Sequence, residues 1–451
     1  MRIIIVGCGK VGTTLAAQLN AEGHNVTVID QDAVKVKTVA NKIDIMGVIG
    51  NGASRSTQKD AGVDRTDLLI AVTGNDELNL LSCLMAKKSS NCHTIARLRN
   101  PEYNTDALYF KNELGLAMVI NPELAAAREI SRILNFPTAI KIETFAKGRV
   151  ELLKFKLPEG CRLVGMSIKD VAVKLKSSVT FCTIERGEEA YIANGNFIFE
   201  EKDVVSIIAS PQGAKAFFKK IDYKIQPIKD ALIVGGGPIT YYLLQLLENS
   251  GISCTVVEKD MELCNQLATE FEKVTVINAD PSDEDVLYEE GISRADAFVA
   301  LTGIDEENIL LSLFAKKAGA GKILTKINRI DFDNIITQLE LDSIIYPKNI
   351  TADTIIGYVR ATKNTRGSNV ETVYNIIKGK VEAAEFTVSE GSPIIGKAIM
   401  QLNLKEGVLI AAIRRGRTQI TPHGQDVILA GDSVVVVTKN LALKDIKDIL
   451  K

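Results

Sequence analysis

The chain has few of the residues that usually do chemistry. Its three histidines, His24, His93 and His423, stand far apart in sequence and fall into no metal or catalytic spacing. The seven cysteines (positions 8, 83, 92, 161, 182, 254 and 264) form no C-x-x-C pair and no zinc pattern. They read as buried thiols in a reducing compartment, not as a disulfide framework. No nucleophile elbow, catalytic dyad or metal triad is legible. Neither sign of charge dominates: a formal net charge of −2 gives no global attraction to nucleic acid or an anionic membrane. No apolar run approaches the roughly eighteen residues that cross a bilayer. The N-terminus opens directly into a strand, with no signal peptide ahead of it. A soluble cytoplasmic protein is expected. Its 451 residues and 46% hydrophobic content suit about three or four domains with real cores.

What the chain does have begins at residue 3. Ile3-Ile4-Ile5-Val6 runs straight into Gly7-Cys8-Gly9-Lys10-Val11-Gly12, a G-x-G-x-x-G pattern. Val11, Leu15, Ala16 and Leu19 then fall on one helical face, which Gly23 closes. Asn25 to Asp30 reads as the next strand and ends on a carboxylate. Strand, glycines, helix, strand and acid in this order mark a dinucleotide-binding unit. Gly7 permits the tight turn, Gly9 admits a pyrophosphate close to the backbone, and Gly12 lets helix pack on strand. The helix N-terminus offers free N–H groups to an anion. Asp30 would accept hydrogen bonds from ribose hydroxyls.

The pattern returns. Ala231 to Pro238 restates the opening, and Cys254 to Glu258 restates the second strand, with Glu258 in the place of Asp30. Thr66 to Gly74 recurs as Ala295 to Gly303, and Asp76-Glu77-Leu78-Asn79 as Asp305-Glu306-Glu307-Asn308. Thr94 to Arg99 lines up with Ile323 to Asn328. Alternating strands and helices imply a parallel, doubly wound sheet in each copy. A second segment repeats as well: Glu159-Gly160 through Gly165 resembles Glu390-Gly391 through Gly396. Gly187, Gly195 and Asp203 are answered by Gly416, Gly424 and Asp432. Short strands between glycine-containing turns indicate a small β-rich α+β module. Four domains follow: nucleotide folds over 1–135 and 226–362, and small modules over 136–225 and 363–451. Asn121-Pro122-Glu123 starts a connecting helix, with Asn121 as cap. Its apolar face of Leu124, Ala127, Ile130, Ile133 and Leu134 could pack on its own domain or on a partner. Tyr346-Pro347 opens the corresponding connector.

Ligands of open α/β sheets bind beyond the carboxyl ends of the strands. That rule nominates the turn Gly50-Asn51-Gly52-Ala53, the turn Thr73-Gly74, and Arg97 as a phosphate partner. Arg97 could instead be an ordinary surface arginine, and Thr73 a helix N-cap. The second copy is degraded. Pro238 removes an N–H donor, and Thr240 puts a side chain where Gly12 leaves the helix–strand contact open. Glu258 still supplies a ribose acceptor, and Lys326 stands where Arg97 stands. The acids Asp280, Asp283, Glu284 and Asp285 read as first-turn decoration of a helix ahead of a cation site.

In combination, Gly7 to Gly12 with Asp30, Gly50 to Ala53, Ala71-Val72-Thr73 and Ala96 to Arg99 resemble the TrkA-type peripheral subunits of prokaryotic Trk potassium-uptake systems, built of tandem RCK domains. The resemblance implies cytoplasmic rings, peripheral at the inner face of the cell membrane beneath a potassium-translocating subunit. It implies NAD(H), ATP or ADP as regulatory ligands and no catalysis. Carried over by position, Gly7, Cys8, Gly9, Lys10, Val11 and Asp30 would hold the first nucleotide, with Asn51, Thr73, Gly74 and Arg97. Gly235, Gly236, Gly237, Ile239, Glu258, Thr302 and Lys326 would hold a second, more weakly. A homotetramer is expected, with the face of Leu124, Ile130 and Ile133 available for burial. A soluble sensor without a membrane partner, or an NAD-dependent dehydrogenase, are the competing classes. The dehydrogenase would need an acid/base residue beside the nicotinamide, and the small modules show no such cluster.

Overall fold

A run such as Arg2–Val6, buried on both faces of a sheet, has to be flanked by helices to keep both faces from water. The computed structural model shows this arrangement twice. It describes residues 1–145, 150–175, 179–187, 189–223, 227–328, 336, 338–339, 341–364, 370–377, 380–416, 418–439, 443 and 445–451.

The first nucleotide fold has strands β1 (Arg2–Val6), β2 (Asn25–Asp30), β3 (Met46–Ile49), β4 (Leu68–Ala71), β5 (His93–Arg97) and β6 (Met118–Ile120). They form one sheet in the order β3-β2-β1-β4-β5-β6, and all the pairings are parallel. The order reverses between β1 and β4, which is where an open sheet leaves a crevice. Val11, Leu15, Ala16 and Leu19 of the helix Lys10–Ala21 are all buried, as their spacing requires. The second nucleotide fold repeats the order with β12 (Asp230–Val234), β13 (Ser253–Glu258), β14 (Thr275–Asn278), β15 (Ala297–Ala300), β16 (Lys322–Lys326) and β17 (Ser343–Ile345).

The small modules carry antiparallel sheets. Strands β7 (Lys141–Phe145), β8 (Val150–Lys156), β9 (Thr180–Arg186), β10 (Glu189–Ile192) and β11 (Val204–Ala209) lie in the order β10-β9-β11-β8-β7. Strands β18 (Val370–Ile377), β19 (Val381–Thr387), β20 (Val408–Arg415), β21 (Thr418–Ile420) and β22 (Ser433–Thr438) repeat that arrangement. Each module is pinned by the same two-pronged ion pair. Arg186 grips buried Asp203 at 2.8 and 2.9 Å, and Arg415 grips buried Asp432 at 3.0 and 2.8 Å.

Chain order and spatial grouping differ. One compact unit comprises Met1–Leu134 with Ile228–Ala352, and the other Asn135–Pro227 with Asp353–Lys451. Like therefore associates with like. In the first unit the helix Pro122–Asn135 buries Ala126, Ala127, Ile130 and Ile133 in one cluster with Ile233, Ile239, Tyr242, Leu243 and Leu247 of the second fold. The apolar face expected to serve contacts between copies is thus consumed inside one chain. Each fully buried isoleucine contributes roughly 1.5–3 kcal/mol, so leaving this face exposed would be costly. In the second unit, Leu152, Cys182 and Ile208 share a core with Ala383, Ala412 and Val435.

Candidate functional site

Above the switch point of the first sheet lies a cavity of about 570 Å³, inside the roughly 300–1,000 Å³ span of small-molecule sites. Its floor is the glycine turn. Gly7 has φ +109°, and a Cβ on Gly12 would lie 1.9 Å from the Gly7 carbonyl oxygen, so only glycine allows this approach of helix to strand. Gly9 and Gly74 have nothing within 4 Å of a notional Cβ and open onto the cavity. Along the crevice come Asp30 and Lys35, then Gly9, Lys10 and Val11, then Thr73 and Arg97. An acid at one end and cations beyond it, over a helix N-terminus, match the ribose and phosphates of a nucleotide.

The carboxylate has a second task. Asp30 accepts the Cys8 N–H at 2.7 Å and the Asp32 N–H at 3.0 Å, holding the turn in shape. The Cys8 side chain is buried and does not line the cavity. Burial, with Asp30 adding to it, pushes its thiol up to about 12, so it is no nucleophile at neutral pH. Arg97 donates from Nη2 to the Thr73 carbonyl, while its Nε is buried with no partner among the described residues. Burial, then the neighbouring Arg99, lowers its pKa. A half-buried cation lining a cavity is suited to an anion.

The least legible part of the sequence is what holds these groups. Fully buried Asn79 accepts both the Thr73 N–H and its hydroxyl, each at 2.8 Å, and donates to the Arg97 carbonyl at 2.9 Å. It ties the ends of β4 and β5 together. Asp76 braces the loop that follows, accepting the N–H groups of Arg99 and Asn100 at 2.7 and 2.9 Å. The repeated Asp-x-x-Asn was the available signal. Thr73 is not the cap of the helix Asp76–Ser89: that is Asn75, whose side chain accepts the Leu78 N–H. Asn51 turns its amide oxygen onto the Ala53 N–H at 2.9 Å, leaving Gly50 and Gly52 to line the cavity. Sequence reasoning also missed Gln31, Pro122, Glu123, Asn328, Pro347 and Lys348, which complete the lining. The last three come from the second fold.

The second fold keeps the same staples. Asn308 accepts the Thr302 N–H at 2.8 Å and donates to the Thr302 and Lys326 carbonyls at 3.2 and 3.1 Å. Glu258 accepts the Gly236 N–H at 2.5 Å and the Asp260 N–H at 2.8 Å. Thr240 does not spoil the turn: it is fully buried, and its hydroxyl donates to the Gly235 carbonyl at 2.5 Å. Gly237 precedes the helix Pro238–Leu247, where Pro238 takes a first position whose N–H has no intrahelical acceptor. Ile239 lies in the shared core. Lys326 donates to the Leu301 carbonyl at 2.9 Å, and burial lowers its pKa to about 8.

Elsewhere, Asp283 caps the helix Glu284–Glu289, as its acidic first turn suggests. No cluster of metal-ligating side chains occurs among the described residues, no described helix is long and apolar enough to cross a membrane, and all seven cysteines are buried free thiols.

Comparison with known proteins follows this layout. The TrkA-N domain model matches residues 3–122 and 231–347, and the TrkA-C domain model matches 152–222 and 383–451. The chain is 33% identical over 446 residues to the Trk system potassium uptake protein TrkA of Haemophilus influenzae, covering 97% of this chain and 95% of that protein. It is 32% identical over 451 residues to the TrkA homolog of Archaeoglobus fulgidus, covering the whole of both. Among solved structures, the GsuK channel superposes with a TM-score of 0.67 at 15% identity, over 98% of this chain and 77% of that one. The GsuK channel bound to NAD gives 0.65 with the same identity and coverage.

Proposed function

The chain belongs to the TrkA family of potassium-uptake proteins, with TrkA-N and TrkA-C domains in tandem, and from that premise we propose that it is a nucleotide-responsive regulatory subunit that controls a membrane potassium-translocating partner. The observation that carries the reading is the cavity at the switch point of the first fold, because its wall is finished by the second fold. A ligand there touches both folds at once. It can shift their arrangement by its differential affinity for two conformations, typically about 1–3 kcal/mol of coupling. No reaction on the nucleotide is needed.

The residues fit an adenine nucleotide. Asp30 would take the ribose, Gly9, Lys10 and Val11 would cradle the phosphates on a turn that Gly7 and Cys8 hold in shape, and Thr73, Gly74 and Arg97 would close the site, with Asn51 shaping the adjoining turn. GsuK, which shares the fold, is solved with NAD and with ADP, and the same ligand class is assigned to this chain. In the second fold Gly235, Gly236, Gly237, Ile239, Glu258, Thr302 and Lys326 would form a weaker site. We place the protein in the cytoplasm beneath its membrane partner, as a homotetramer. With the connector face consumed internally, contacts between copies are assigned to the exposed leucines at matching positions of the two folds, Leu81 and Leu310, which are 48% and 67% exposed. A monomer at micromolar concentration by light scattering would refute that assignment.

Thermal melts with NADH, ATP and ADP test the main reading. Ligand at a hundredfold over its Kd should add about 2.7 kcal/mol of stability, and Asp30→Ala should abolish most of the shift. No shift in the wild type, or an equal shift in the variant, refutes it.

A further inference from the structure

Away from the cavity, one side chain crosses the seam between the two nucleotide folds. Tyr242 belongs to the helix Pro238–Leu247, which follows the second glycine turn. It is 1% exposed and shares a core with Ala126, Ile130 and Leu243. Packing of that kind needs only an aromatic ring, and phenylalanine would supply it. The hydroxyl does something else. It donates to the Arg99 carbonyl at 2.8 Å and accepts from the Asn121 side-chain amide at 2.9 Å, both in the first fold. Burial pushes its pKa up to about 12, so the oxygen keeps the proton that it donates.

Neither partner lines the cavity, but each is joined to residues that do. Arg97 lines it two residues before Arg99. Arg99 also donates from Nη2 to the carbonyl of cavity-lining Gly74, and its N–H is held by Asp76 at 2.7 Å. Asn121 precedes Pro122 and Glu123, which line the cavity, and it accepts the Leu124 N–H at 2.9 Å. The two segments leave neighbouring strands, β5 and β6, and the Leu98 N–H still bonds the Ile120 carbonyl at 2.9 Å. Past that bond, the Tyr242 hydroxyl joins them. The arrangement belongs to one fold of the pair. Thr14 stands in the first fold where Tyr242 stands in the second, and it has no ring to carry a hydroxyl across a core. Asn121 is matched by Tyr346, ahead of the helix Pro347–Asn364.

We propose that Tyr242 is a positioning residue for the first nucleotide site: its hydroxyl, supplied by the second fold, clamps the segments that carry Arg97 and Glu123 and so sets how tightly that site holds a nucleotide. The inference rests on the first cavity being a nucleotide site. It concerns affinity for any nucleotide, whatever its phosphates, because the clamped segments are wall and not ligand contacts chosen for one group. Without the hydroxyl, the Arg99 carbonyl and the Asn121 amide each lose a partner. The two strand ends are then free to separate, and a ligand has to order them as it binds.

Calorimetry on the full chain tests this with ADP and NADH as probes, read on the strong phase that Asp30→Ala removes. Tyr242→Phe keeps the ring and deletes only the hydroxyl. It should weaken both nucleotides by roughly tenfold, the effect expected for one lost hydrogen bond in a partly buried place. Asn121→Ser keeps a capping oxygen but loses the amide that meets Tyr242, and should weaken both in the same direction. Leu247→Ala is the control, because it takes volume from the same core and no hydrogen bond. Urea denaturation should show it destabilised at least as much as Tyr242→Phe. Its nucleotide affinities should nevertheless stay within about twofold of wild type, the core being separate from the cavity. Wild-type affinities in Tyr242→Phe or Asn121→Ser would overturn the inference, since the hydroxyl would then only brace the fold. Equal losses in Leu247→Ala would overturn it too, since any weakening of the core would then loosen the site. A wild type that binds neither probe would sink the site reading and the inference with it, and its flat titration sets that outcome apart.

Discussion

The two nucleotide folds differ where a ligand would be, and agree where the backbone is held. Asn79 and Asn308 make the same staple across two strand ends, Asp76 and Asp305 anchor the following loop, and Asp30 and Glu258 hold the glycine turn. Those groups satisfy buried backbone donors and acceptors, and losing one costs about 1–3 kcal/mol per stranded group. The positions lining the cavity have changed, Lys10 to Pro238, Arg97 to Lys326 and Glu123 to Lys348, and so has the helix–strand contact behind them, Gly12 to Thr240. A duplicated fold can thus lose or re-aim a binding site without losing its architecture. The scaffold and the ligand contacts rest on different side chains.

The comparison is tested most strongly at the staples. Asn79→Ala and Asn308→Ala should each destabilise the protein by on the order of 3 kcal/mol, because several buried polar groups lose their partner in each. Urea denaturation should show similar losses for the two, and a near-zero effect for one would mean that the staples are not equivalent. Next come the turns. Gly12→Ala forces a Cβ against the Gly7 carbonyl and should cost about 1–3 kcal/mol through overpacking, together with the nucleotide-induced melting shift. Thr240→Gly should cost only about 1 kcal/mol, mainly its buried hydrogen bond. Similar costs with the nucleotide shift intact in both would dissolve the distinction.

A smaller effect separates the affinities of the two folds. Pro238 removes one N–H donor, so nucleotide affinity at the second fold should be roughly ten- to a hundredfold weaker. Calorimetry on Asp30→Ala should reveal only the weak phase and on Glu258→Ala only the strong one. Equal affinities, abolished equally by the two substitutions, would contradict the reading. The smallest effect is in pH. Burial lowers the pKa of Lys326 to about 8, so it loses its proton in the folded protein before it would in the unfolded chain. The cost of burying its charge is present in full below pH 8, and stability rises from there toward about pH 10.4, the ordinary lysine value. Phosphate binding wants the charged form, so affinity at the second fold should fall by about tenfold from roughly pH 7 to 9. Arg97 keeps its charge over that range, and Lys326→Arg should flatten the profile.

The sequence alone determined the parallel sheets, the glycine turns, the acids that end the second strands, the Asn121 cap and the fourfold modular order. Each is written in roughly five to twenty neighbouring residues, where periodicity, caps and steric exclusion act locally. Asn79 was visible as a repeated letter but not as a staple, since its partners lie six and eighteen residues away at the ends of different strands. The tertiary structure decided which domains associate. The connector's apolar stripe was equally consistent with its own domain or a partner, and only the face of the second fold, downstream in the same chain, settled where Ile130 and Ile133 are buried. It also decided that Asn328, Pro347 and Lys348 line the cavity of the first fold. Hydrophobic burial is non-directional, so an apolar stripe records that a partner exists but not which one. Charge at the seam is likewise unreadable until the fold brings two helix starts, 225 residues apart in sequence, to one cavity.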